Sequence, residues 1–319
     1  MNHDFLDYLV ATDLPLPHDR PFTYVEARDA LGGRHAVAAL LRRGLLLSDV
    51  RSIYRTAASA DGHAMRIATL RLLAPADAVI CDRSAAWLHG AAMALPPNSH
   101  LSPPPVDVYL PRNARLTNAV THSGARRIRA DDVTTLDGLV VTTALRTACD
   151  VGRLLAREQA MAVLDSLAGT SASVTSTRIM NETTRYRGFR GVRQLRDLAP
   201  RIDGRSQSAP ESILRLRWED CPDLPKPTPQ VPVLTPSGMR FLDLGVPDIK
   251  YAAEYDGSEF HGPEQLADDT ERRHLLAEDG WEIDIFRRDN LFGAQQDWEH
   301  ILRRGVRRAQ RRHARRPAA

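Results

Sequence analysis

The 319-residue chain lacks most of what would mark a secreted, membrane-bound or metal-stapled protein. Its three cysteines, Cys81, Cys149 and Cys221, lie far apart and form no CxxC pair. Neither a disulfide framework nor a zinc site is therefore indicated, which suits a reducing cytoplasm. No apolar run approaches the roughly 18 residues needed to span a bilayer. The opening "MNHDFLDYLV" has neither the basic n-region nor the apolar core of a signal peptide. An excess of one charge sign is missing too, with a formal net charge of only +3. A hydrophobic share of 43% and a charged share of 26% are ordinary for a soluble globular chain of two or three domains. The expectation is a cytoplasmic protein with no membrane partner.

Local positive charge is abundant. The closing segment "RRGVRRAQRRHARR" is nearly all arginine with small or polar spacers, and arginine is the side chain best matched to phosphate oxygens. Arg126, Arg127 and Arg129, then Arg185, Arg187, Arg190 and Arg193, add further clusters. A solvated, frayed terminal helix would look the same in sequence. Nucleic acid is the expected partner, and charge alone does not separate DNA from RNA.

Between Pro21 and Arg55, "TYVEARDALG" reads as a short helix capped by Thr23 and stopped at Gly32-Gly33. "RHAVAALLRRG" follows as a second helix with Val37, Leu40 and Leu41 on one side, and "LLLSDVRSIYR" as a two-stranded wing turning near Ser48-Asp49. Helix, tight turn, helix and hairpin is the order of a winged helix-turn-helix, whose second helix enters the DNA major groove. Arg34 and His35 at that helix's start would reach bases, and Arg42, Arg43 and Arg51 would meet phosphates. The same unit would also serve as a protein-interaction module.

From about Ala64 to Leu167, "AMRIATLRLLA" and "SAAWLHG" read as helices and "VDVYLP" as a strand. "GLVVTTALRTACDVGRLLAREQAMAVLDSL" passes from strand through a Thr-rich cap into a helical pair. Trp87 and His89 read as packing residues. The polar "GTSASVTST", the basic "RYRGFRGVRQLRDLAP" and the small-residue run "DGRSQSAPES" read as a connector and linker.

The pattern changes again at Pro210. "PESILRLRWED" is a helix with Glu211 in its first turn, and "VPVLTPSGMRFLDLGVP" a β-hairpin with Asp243 on its second strand. "IKYAAEYDG" is a strand carrying Glu254 and Asp256, "EQLADDTERRHLLAEDG" a helix, and "WEIDIFRRDNLF" a last strand. Carboxylates on two adjacent strands are the hard oxygen ligands that magnesium or manganese takes beside water and phosphate. Such an ion would relieve the repulsion between Glu254 and Asp256 and activate water at phosphorus. His261, just past the strand, would move the proton.

Two resemblances bear on these segments. The winged-helix start, "CDRSAAWLHG" and "DGLVVTTALRTACDVG" resemble the AbiEi-type abortive-infection antitoxins of bacteria over about the first half of the chain. That resemblance implies a winged helix fused to a small α/β domain without catalytic residues, DNA binding, and the antitoxin role of a type IV pair with a cognate toxin. "ESILR", "RFLDLGVP", "EYDGSEFH" and "DTERRHLLAEDGW" resemble the nuclease-like family related to very-short-patch repair endonucleases, within the PD-(D/E)xK superfamily, over about residues 208 to 292. This second resemblance implies that Glu211 is the first-helix acid and that Asp243 and Glu254 bind the metal. Asp256 and His261 belong to its signature, with Asp269 and Arg272 as a following pair. One position departs from the superfamily: Asp256 stands where a lysine is usual, and Lys250, four residues away, is a poor substitute. The expected organisation is α/β (α+β): a winged helix over 1–60, an antitoxin-like α/β domain over 61–168, a connector over 169–207 and a nuclease-like domain over 208–319. The expected activity is metal-dependent DNA hydrolysis, with a non-catalytic DNA-binding regulator or antitoxin as the alternative.

Overall fold

A computed structural model describes residues 11–315 apart from 51, 75–76, 97–98, 100–102, 111–117, 125, 237, 258–275 and 278. The described chain is a mixed α/β (α+β) protein with three sheets. It divides into two units, 1–147 and 148–319.

The first unit begins with strand β1 (Phe22–Thr23), helix α1 (Tyr24–Leu31), helix α2 (Arg34–Arg42), and strands β2 (Leu46–Val50) and β3 (Ile53–Thr56). Thr23 caps α1 as its sequence suggests: its hydroxyl accepts from Glu26 N, while the Glu26 carboxylate accepts from Thr23 N at 2.8 Å. This reciprocal box satisfies two N–H groups that a helix start leaves unpaired. Gly32 and Gly33 have φ of 76° and 142°, which only glycine adopts without strain, and they make the tight turn into α2. Phe22, Leu31, Val37, Leu40 and Leu46 form the small core beneath. The wing turns later than its sequence suggested. β2 continues through Ser48, whose hydroxyl donates to the carbonyls of Val50 and Ile53, and the chain reverses beside Ser52, in the left-handed region at φ 68°. A residue at positive φ suits a two-residue hairpin loop, so the turn forms there and not at Ser48-Asp49.

The rest of this unit is a five-stranded sheet of β4 (Val79–Ile80), β5 (Val106–Tyr109), β6 (Thr121–Gly124), β7 (Val133–Leu136) and β8 (Leu139–Thr142), in the order β6-β5-β4-β8-β7. Helices α3 (His63–Leu73) and α4 (Asp82–Leu88) accompany it, with Ile67, Leu70, Ala85, Val106, Val108 and Val141 in one core. His89 Nε2 donates to the Thr142 carbonyl at 2.7 Å, and Trp87 stacks edge-on against His63, so both are packing residues as expected.

Helix α5 (Ala144–Leu154), with the Thr143 hydroxyl accepting from Arg146 N, crosses into the second unit. There α6 (Arg157–Thr170), α7 (Ser176–Glu182), α8 (Val192–Leu198) and α9 (Ala209–Glu219) follow. The segment 169–207, expected as a connector and linker, is largely helical and packed. Its small residues serve close approach: a Cβ on Gly204 would fall 2.7 Å from Gly169 N. Asp203 N donates to the buried Asp165 carboxylate at 2.9 Å, and Ser206 is buried. A composition rich in Gly, Ser and Asp marks tight packing here, not a flexible tether.

Beyond α9 lie the hairpin β9 (Thr228–Thr235) and β10 (Gly238–Val246), then β11 (Tyr251–Tyr255), β12 (Glu282–Phe286), the short helix α10 (Arg288–Phe292) and helix α11 (Trp298–Ala314). The sheet order is β12-β11-β10-β9, antiparallel except for the parallel β11–β12 pair. Trp218 of α9, Tyr251 of β11 and Leu302 and Val306 of α11 meet in the core on one side. Val231, Leu242, Ala252, Leu276 and Trp281 form a second cluster. The helix expected between β11 and β12 lies mostly outside the described residues.

Candidate nucleic-acid interface and acidic site

Helix α2 buries Val37 and Leu40 and turns Arg34, His35, Ala38, Arg42 and Arg43 outward. Positions 34, 38 and 42 recur every four residues, so they share one face about 12 Å long at 1.5 Å per residue. The small Ala38 between two arginines leaves that face low enough to approach a groove. Arg34 and His35 open the helix, where a recognition helix contacts base edges, and their side chains touch (Arg34 Nε to His35 Nε2, 3.4 Å). Arg42 and Arg43 lie at the other end, near the turn into the wing. Arg51 lies outside the described residues.

Several other arginines are engaged within the protein. Arg126 forms a bidentate pair with Asp82 at 2.7 and 2.6 Å and lies over the Tyr109 ring. Arg146 donates to the buried Asp132 at 2.6 Å, and Asp150 accepts from Arg153 at 2.6 Å. Arg185 pairs with Glu182 at 2.7 Å. No local pattern signals the Asp82–Arg126 pair, because 44 positions separate its members. Asp82 is also held at φ 50° at the start of α4.

The expected acids come partly together in the second unit. Glu211 sits in the first turn of α9, where the Ser208 hydroxyl accepts from Glu211 N at 3.3 Å. Its own carboxylate accepts from Gln207 N at 3.0 Å and from Gln230 Nε2 at 3.3 Å. Burial, and then the negative charge of Asp243, push the Glu211 carboxyl above its ordinary range. Asp243 on β10 accepts from Tyr255 N at 2.9 Å. The β10–β11 ladder pairs Leu244 with Ala253. Asp243 and Glu254 follow directly beyond that pair on neighbouring strands, and the Asp243 carboxylate reaches β11 at Tyr255 N. Glu254 is only 5% exposed, in a strand with neighbours on both sides.

Asp256 diverges from this group. It follows the strand end, with its carboxylate 3.7 Å from Arg287 Nε. The parallel β11–β12 register, which pairs Tyr255 with Phe286, explains that neighbour. Lys250 precedes β11, at φ 47°, and its ammonium binds Asp279 at 3.0 Å, so it is not a strand-face residue. His261, Asp269 and Arg272 lie outside the described residues. Among the described residues, no group of three or more His, Cys, Asp or Glu side chains is arranged to hold a metal ion. Glu211, Asp243 and Glu254 thus match a magnesium or manganese ion in charge but not in convergence.

Comparison with known proteins bears on the chain as a whole. It is 35% identical over 222 residues to the uncharacterized proteins MT2308 and Rv2248 of two Mycobacterium tuberculosis strains, covering 68% of this chain and 77% of theirs. The chain belongs to their family. Within it, residues 78–201 match the family described as AbiEi antitoxin C-terminal domain. That match runs from β4 through α8 and so takes in most of the segment expected as a connector. The crystal structure of the RV2827C protein from Mycobacterium tuberculosis is similar over 60% of this chain and 80% of that chain, at 14% identity and a TM-score of 0.40. A likeness that loose carries no argument. For this family member, then, the AbiEi-like segment is flanked by the α2 face before it and the acidic strands after it.

Proposed function

We propose that the protein is a DNA-binding regulator of the antitoxin type, in which α2 reads DNA and the AbiEi-like segment meets a cognate toxin. The observation that carries this reading is the outward face of α2, with Arg34 and His35 at its start, Ala38 in its middle and Arg42 at its end. The AbiEi match over 78–201 supports the toxin partner. Arg34 and His35 would give sequence preference through base edges, and Arg42 and Arg43 would give affinity through phosphates. Selecting bound sequences from a random duplex library tests this. The parent enriches a defined motif, Arg34→Ala with His35→Ala flattens the preference, and Arg42→Ala with Arg43→Ala weakens all sequences alike. A library that emerges unenriched from the parent protein refutes the reading.

A second reading, metal-dependent DNA cleavage, is favoured by one observation: the Glu211 carboxyl on a helix responds to the charge of Asp243, on the strand next to the one that carries Glu254. Asp256 in place of a lysine and the incomplete convergence of the acids weigh against it. Incubation of branched, mismatched and plain duplexes with magnesium or manganese separates the readings. Cleavage lost in Asp243→Asn and in Glu254→Gln, with binding retained, supports the nuclease. No cleavage of any substrate leaves the regulator alone.

A further inference from the structure

Helix α11 buries Leu302, Gly305, Val306 and Ala309 and packs against β11 and β12. Gly305 allows this close approach, because a Cβ there would overlap the Asp284 carboxylate and the Tyr251 ring. The arginines of the helix fall into two classes. Arg303 is neutralised by Asp223 and by Glu299 at 2.8 Å. Arg308 is neutralised by Glu282 at 2.6 Å and Asp284 at 2.7 Å. Arg304, Arg307 and Arg311 are exposed and form no salt bridge with an acid among the described residues, Asp223 feeling the charge of Arg307 but bonding to Arg303. They share one face at spacings of three and four, and a hollow of about 270 Å³ beside them is lined only by basic side chains.

We infer that α11 carries a second nucleic-acid site, in which Arg304, Arg307 and Arg311 grip the phosphate backbone of duplex DNA without reading its sequence. A frayed, solvated helix does not account for this geometry. Like charges at these spacings repel and destabilise an isolated helix, yet here packing through Gly305 holds them in a fixed row. From Arg304 to Arg311 the helix rises about 10.5 Å at 1.5 Å per residue, the axial span of roughly three phosphates on one B-DNA strand at 3.4 Å each. Arginine's planar fork suits phosphate oxygens, and nothing on this face resembles the mixed donors and acceptors needed to tell one base from another. The site deepens the DNA-binding reading but does not require α2 to be the reading helix.

The test is a salt titration of the full chain on a labelled mixed-sequence DNA duplex, followed by fluorescence anisotropy. Replacing Arg304, Arg307 and Arg311 together by alanine lowers the slope of log K against log salt by about 2.7, at roughly 0.9 per phosphate contact. Arg303→Ala, which removes an already neutralised charge, leaves the slope nearly unchanged. The α2 variants lose sequence preference yet keep the contribution of α11, so failure of the two readings is distinguishable. The triple lysine variant retains most of the slope and guards against misfolding of the alanine variant. An unchanged slope in the folded triple-alanine variant, an equal loss in Arg303→Ala, or tighter binding to an RNA duplex than to DNA overturns the inference.

Discussion

Asp165→Asn removes one charge from the most enclosed ion pair of the second unit while preserving its shape. Asp165 and Arg215 have 0% and 2% of their side chains exposed, with Arg215 Nη2 at 3.0 and 2.8 Å from the two carboxylate oxygens. Arg215 Nη1 also donates to the Arg201 carbonyl and to Glu219, both at 2.7 Å. The asparagine still accepts from Asp203 N, so the loss is chiefly electrostatic. Breaking one side of a buried pair costs about 3–5 kcal/mol, because the remaining charge stays out of water. Glu219 offsets part of this, which places the expected loss near 3 kcal/mol at the lower end of that range. For a unit of this size that is a fall of roughly 6–12 °C in Tm. Three of the four tryptophans, Trp218, Trp281 and Trp298, lie in this unit, so a Trp87→Phe background makes urea unfolding by fluorescence report on it alone. The double variant Asp165→Leu with Arg215→Met recovers most of the stability, since a well-packed apolar pair replaces the charges. A loss below about 1 kcal/mol in Asp165→Asn, well under the range for a broken buried pair, or a double variant no better than the single, refutes the reasoning. The pair also has a positional consequence: Arg215 sits one turn after Glu211, so it fixes α9, and the first acid with it, against α6.

Two further substitutions test the helices that face outward. Ala38→Glu places a carboxylate between Arg34 and Arg42 and should abolish the preference for the selected motif over a scrambled duplex in an anisotropy assay, while stability shifts by no more than about 0.5 kcal/mol, as for an exposed site. A preference that survives excludes this face as the reading interface. Gly305→Ala should destabilise the second unit by about 1–3 kcal/mol through overpacking against Tyr251 and Asp284, although alanine is the better helix former by about 1 kcal/mol. A gain in urea midpoint would show that α11 does not need the close approach.

Local patterns were legible wherever short-range chemistry fixed them. Thr23, Gly32-Gly33, Pro210 with Glu211, and the period-2 hairpin around Asp243 each specify a helix start, a turn or a strand within a few residues. The errors came where distant residues decide. Ser48-Asp49 looks like a turn, but a hydroxyl bonded across the hairpin keeps β2 extended to Val50. "DGRSQSAPES" looks like a linker, but Gly204 faces Gly169 and Asp203 faces Asp165, contacts that composition cannot reveal. Arginine clusters were read as uniform positive surface, whereas Arg126, Arg303 and Arg308 are each neutralised by acids remote in sequence. That Asp243 and Glu254 lie on neighbouring strands was readable from strand order. The separation of Asp256 toward Arg287 was not, because it depends on the parallel register with β12.

Glu211 and Glu254 are not the polar ends of exposed elements. Glu254 is 5% exposed and Glu211 is 7% exposed, and burying like charges together costs stability unless a proton, a cation or a fixed positive side chain offsets it. The raised pKa of Glu211 makes the choice measurable. Because its folded value lies above the unfolded 4.5, the folded state binds the extra proton in the window between them. The contribution of Glu211 is therefore fully present below the unfolded value and is lost as pH rises through the folded one. Glu211→Gln should remove that dependence and be more stable than the parent at neutral pH, as read from urea midpoints across the acid range. Asp243→Asn should return the Glu211 carboxyl toward its ordinary value in an NMR titration, since the neighbouring charge is gone. If a divalent cation is the natural offset, magnesium raises the Tm of the parent by mass action, by RT ln(1 + [L]/Kd), and lowers the Glu211 pKa, with both effects lost in Asp243→Asn. Equal melting with and without magnesium, together with a Glu211 carboxyl that still titrates high, would mean that a proton fills that role, and the acidic strands would then belong to the regulator's architecture and not to a nuclease.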